Sequence, residues 1–169
     1  MKKTILPILL ALMTFTTVQA QKYALIDMEY ILKNIPAYER ANEQLTQVSK
    51  RWQAEVEALN TEAGTMYKNY QNEVVFLSQE QKQARQDAIM QKEKEAADLK
   101  KKYFGPEGEL FKKRESLMSP IQDEIYNAVK EVSELRGYQM VVDRASNSGI
   151  VFASPRIDIS NEVLQKLGY

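Results

Sequence analysis

The chain has 169 residues, 44% apolar and 27% charged, with 23 basic side chains against 23 acidic ones and neither Cys nor His. One domain is the default at this length, and without thiol or imidazole there is no disulfide framework, no Cys/His zinc site, no Cys nucleophile and no Ser-His or Cys-His pair. The even charge balance argues against nucleic-acid binding, which needs clustered Lys and Arg to displace counterions.

Met1, Lys2 and Lys3, the apolar run Ile5 to Phe15 and the small residues Val18 and Ala20 read as a secretory signal over 1–20, cleaved after Ala20. The run is too short for the roughly 20 apolar residues of a membrane helix. No Cys stands near the cleavage point, so lipoprotein attachment is excluded. The exported chain, Gln21 to Tyr169, keeps 21 basic against 23 acidic side chains once Lys2 and Lys3 are lost, and its compartment lies outside the cytoplasm.

Lys22 to Asp27 reads as a short strand, and Met28, Ile31, Leu32 and Ile35 then fall at helical spacing before Pro36 marks a kink or restart. From 37 to 136 the text is rich in Glu, Gln, Lys, Ala and Leu, with Gly64, Gly105, Pro106, Gly108 and Pro120 as its only breakers, which predicts long helix. Leu45, Val48, Trp52, Val56, Leu59, Ala63, Met66, Tyr70, Val74 and Leu77 cover 32 residues in nine steps, close to the period of about 3.5 of a coiled-coil seam. Ser78 followed by Gln81 has the form of a capping box, so the helix is expected to reverse near 76–79. A reversal at Gly105 to Gly108 would leave two arms of very unequal length, so that segment and Pro120 are expected to interrupt the returning helix.

Gly137 suits a helix C-terminus. Tyr138 to Asp143 and Ile150 to Ala153 read as two strands of a hairpin turning at Ser146 to Gly149, and Asp158 or Ser160 can cap a last helix that buries Val163, Leu164 and Leu167. The expected fold is thus mainly α: a helical hairpin arm over 37–136 on a small β-containing body made of 21–36 and 137–169. Tyr23, Leu25, Met140, Val142, Ile150 and Phe152 alternate along the strands and are expected in the body core or a subunit interface. So small a body, with open strand edges, implies self-association as a dimer or trimer.

Carboxylate pairs such as Glu55/Glu57 and Glu93/Glu95 stand two apart and point to different sides of a helix, so they make poor acid–base partners. Lys94/Asp98, Asp98/Lys102 and Glu109/Lys113 have the i,i+4 spacing of helix-stabilising pairs. No Gly-rich loop leads into Lys-Ser or Lys-Thr, and neither an enzyme nor a cofactor or metal site is expected. Tyr67, Val75 and Phe76 lie near the arm tip but off the seam, and exposed apolar groups there would make weak, non-directional contacts with another chain.

The order of these elements, with Ala24-Leu-Ile-Asp-Met28, Val141-Val-Asp143 and Asp158-Ile-Ser-x-x-Val-Leu164 as its specific parts, resembles the Skp/OmpH family of periplasmic chaperones over essentially the whole exported chain. The resemblance implies a jellyfish-like homotrimer. Its arms would hold unfolded outer-membrane proteins, without ATP, in transit through the periplasm; the off-seam position of Tyr67, Val75 and Phe76 near the tip makes them the expected client contacts. Family members are often markedly basic and this chain is not, so contacts with lipopolysaccharide or anionic membranes are not carried over. The alternative from another class is a coiled-coil adaptor of the cell envelope with one folded partner. It predicts a continuous seam, against which stands the scarcity of large apolar residues between Gln79 and Lys102.

Overall fold

A computed structural model describes residues 22–146 and 149–169. The leader expected over 1–20, and two residues of the turn expected over 146–149, lie outside them. In chain order come β1 (Tyr23–Ile26), α1 (Met28–Lys33), α2 (Pro36–Glu73), a 3-10 turn (Val74–Phe76), α3 (Gln79–Phe104), α4 (Glu109–Arg136), β2 (Met140–Asp143), a second 3-10 turn (Pro155–Ile157) and α5 (Ser160–Leu167).

Local chemistry accounts for most boundaries. Asp27 caps α1 by accepting from the Tyr30 N–H at 2.9 Å, and Pro36, which has no N–H to lose, opens α2. α2 then runs for 38 residues, about 57 Å at 1.5 Å per residue. Ser78 and Gln81 form a reciprocal box: the Gln81 N–H donates to Ser78 Oγ at 3.2 Å and the Ser78 N–H to Gln81 Oε1 at 2.9 Å. α4 passes through Pro120 without a new start and closes at Gly137, whose φ of 73° is the left-handed cap that glycine adopts without a Cβ penalty.

α2 lies antiparallel to α3 and then α4, and all ten positions of the seam are buried or half-buried. At the base Ile31, Ile35 and Ala41 meet Ile121, Ile125, Ala128 and Val132 of α4 and Ile159, Val163 and Leu164 around α5, in a core that Ala24 and Ile26 complete.

Two expectations about the strands need correction. β2 pairs in parallel with β1, Ala24 opposite Val141, and Ile150 to Ala153 is not a strand in the single chain. A hairpin was expected from nearby turn residues; β1 takes β2 on one edge and Asp158 on the other, and among the described residues no strand pairs with the outer edge of β2. The whole arm serves as the crossover that parallel strands need. Ala24 and Ile26 belong to the core with Val141 against it, which turns Tyr23, Leu25, Met140 and Val142 to the other side. Of the six residues expected in core or interface, Leu25 is buried and Val142 half-buried, whereas Tyr23, Met140, Ile150 and Phe152 are exposed on the protomer.

Candidate functional site

The far end of the arm is where chemistry meets space. The 3-10 turn tightens the chain out of α2, and the cap at Ser78 restarts it, so the residues between cannot all face the partner helix. Met66, Tyr70, Val74 and Leu77 stay half-buried in the seam. Tyr67, Val75 and Phe76 point away from it, 51%, 76% and 86% exposed. Val75 and Phe76 share the tip, and Tyr67 stands about two helical turns below them.

Behind the tip the arm is held by polar bonds as much as by apolar packing. α3 buries only Ile89 and Ala96 fully. Gln86 Nε2 donates to the Tyr70 hydroxyl at 2.9 Å, Arg85 meets Glu73 at 3.6 Å, and Lys92 Nζ reaches Glu62 at 3.3 Å and Glu95 at 3.0 Å. Hydrogen bonds from Lys92 to Glu95 and then to Glu62 hold its ammonium pKa above the usual lysine value. The carboxylates singled out in the sequence do not converge: Glu55 faces Tyr103 and Glu95 faces Lys92. Instead of the i,i+4 pairs expected there, Lys92–Glu95 and Glu109–Lys112 form one step shorter, the first with Lys92 half-buried and shared with Glu62 across the arm, the second exposed.

A cluster that the spacing alone did not single out lies halfway down. The Trp52 and Tyr103 rings stack at 4.6 Å with 6° between planes, Phe104 meets Tyr103 edge-on at 6.3 Å, and the Tyr103 hydroxyl donates to Glu55 at 2.6 Å. That carboxylate, as acceptor, raises the Tyr103 pKa. Trp52 and Tyr103 are nearly equidistant from Ser78, so a hairpin reversed there does bring them face to face.

At the base the three segments singled out in the sequence meet in one knot. Asp27, Asp143, Asp158 and Ser160 lie together around Arg144, which binds Asp27 Oδ2 through Nε and Nη2, both at 3.0 Å, and Asp158 Oδ2 through Nη1 at 3.3 Å. Buried Ser160 accepts from the Asp27 N–H at 2.8 Å and donates to Asp158 Oδ1 at 2.6 Å, while Asp143 Oδ1 accepts from the Met28 N–H at 3.0 Å. The Tyr30 N–H, and next among the favourable contacts Arg144, hold the Asp27 carboxyl below its ordinary value. Near this knot apolar side chains are exposed on the strands, Tyr23 at 47% and Met140 at 55%, and in the segment after β2, Val151 at 100% and Phe152 at 84%. Among the described residues no acidic cluster has the arrangement of a metal site, and no helix is long and apolar enough to cross a membrane.

Comparison with known proteins gives concordant results. The family described as outer membrane protein (OmpH-like) matches residues 22–167. The chaperone protein Skp of Yersinia enterocolitica is 26% identical over 160 residues, which cover 94% of this chain and 93% of that one. Among solved structures, an OmpH-like protein of Caulobacter crescentus CB15 superposes with a TM-score of 0.71 at 13% identity, over 88% of this chain and 84% of its own. At that identity the last comparison speaks to the fold.

Proposed function

The chain belongs to the OmpH-like outer membrane protein family, and on that footing we propose that it is an ATP-independent holding chaperone of the periplasm, acting on unfolded outer-membrane β-barrel proteins. Residues 1–20 direct export and are removed. Copies join through the outer face of the sheet, where Tyr23, Leu25, Met140 and Val142 stand with Ile150 and Phe152, and a trimer sets three arms around a cavity. The client lies between the arms and touches Tyr67, Val75 and Phe76.

The observation that carries this reading is a tip that leaves Val75 and Phe76 76% and 86% exposed. Apolar contact is non-directional, so it suits a client without fixed structure, and a few such side chains bind weakly enough to release it. The name of the Yersinia relative points the same way. Replacing Tyr67, Val75 and Phe76 together by Ser tests the tip: at unchanged native mass, the variant should lose most of its ability to keep a diluted β-barrel protein soluble. Full protection by the variant would remove the tip from the contact surface.

A further inference from the structure

The returning limb of the arm is two helices, and the ladder between them is broken by a built turn. The Gly105 N–H still reaches the Lys101 carbonyl at 2.8 Å, and the Gly108 N–H then closes on the Gly105 carbonyl at 2.9 Å. A Cβ on Gly105 would lie 2.5 Å from the Lys101 oxygen, and one on Gly108 would lie 2.8 Å from the Tyr103 oxygen. A side chain at either position would displace backbone, so this compact form needs its glycines. The last layer on the tip side of the break is the stack of Trp52 on Tyr103, with the Tyr103 hydroxyl bound to Glu55.

The two sides of the break are held differently. On the base side α4 buries Ile121, Ile125, Ala128 and Val132; on the tip side the buried residues are the smaller set Ile89 and Ala96 of α3 and Val56 and Ala63 of α2, joined by the Arg85–Glu73 and Lys92–Glu62 ion pairs. The tip-side half of α2 also contains Gly64, where an added Cβ would meet nothing within 4 Å. The helix is weakened at that point for no packing reason. Helical order propagates along a continuous ladder of hydrogen bonds, so melting of α3 has no route through 105–108 into α4; the ladder of α2 is unbroken over Pro36–Glu73, and on that side the boundary rests on the Trp52 stack and on Ala41 and Leu45 buried below it.

We propose that the 105–108 turn and the Trp52–Tyr103–Glu55 clasp form a joint that confines opening of the arm to its tip section, residues 53–104, while the base section and the body stay folded. The tip section is a separate unit of local unfolding, able to reshape its surface without loosening the core or the outer face of the sheet. The inference concerns the protein without client and does not rest on the chaperone reading.

Hydrogen exchange followed by mass spectrometry on the assembled exported chain tests it. Peptides from 53–73 and 79–104 should exchange together, about tenfold or more faster than those from 117–136, as separate cooperative units do. Tyr103→Phe keeps the stack and removes the bond to Glu55; it should speed the tip section severalfold and leave 117–136 unchanged. Gly64→Ala should slow the tip section. A single rate for both sections, or equal acceleration of both by Tyr103→Phe, would overturn the joint.

Discussion

At the scale of single residues, Arg144 and Asp27 secure the body because strand end, helix start and final turn all meet there. Asp27 caps α1 and receives Arg144, so Asp27→Ala should lower stability to urea by about 1–2 kcal/mol, the usual worth of a cap and a charged hydrogen bond together. The pH dependence has a definite sign. A carboxyl held below its unfolded value of 3.8 contributes fully above that value, and the contribution fades as pH falls through the lower, folded one. The gap in urea midpoint between the parent and Asp27→Asn should therefore be widest near neutrality and narrow below about pH 4. Ile125, fully buried where α4 meets the core, is the apolar counterpart: Ile125→Ala should cost about 3 kcal/mol, read by the same titration.

Among elements, what was legible in the sequence was what local chemistry decides. The seam on α2, the box at Ser78 and the glycine cap at Gly137 are each set by residues within a few positions, and each appears in place. The pairing of the strands was not legible. Turn residues at 146–149 favour a hairpin locally, but β1 binds β2 across the whole arm, a decision made by the core that the assembled helices offer. The same cause put Ala24, Ile26 and Val141 on the covered side within the single chain, because a period of two fixes which residues share a side and leaves open which side is covered. The exposed set Tyr67, Val75 and Phe76 could be separated from the seam by spacing, whereas the Trp52–Tyr103 stack needed the position of the reversal first. Ser78→Ala should weaken the start of α3 by about 1 kcal/mol. Because this end of the arm is thinly packed, the loss should appear as faster amide exchange near the tip and barely move the global urea midpoint.

For the whole molecule, the contrast lies between a well-buried base and a long, lightly held arm. The exposed apolar face beside Phe152 is what self-association would cover, so Met140→Asp with Phe152→Asp should reduce the native mass to that of one chain, measured by light scattering. An even charge balance fits contacts that are apolar and diffuse, and it separates this account from one built on binding to polyanions. The most direct measurement is to dilute a urea-unfolded outer-membrane β-barrel protein into buffer with the exported chain, without nucleotide, and follow turbidity together with the mass of the complex. The account predicts a clear solution holding one client per oligomer; aggregation at the rate seen without the chain would contradict it.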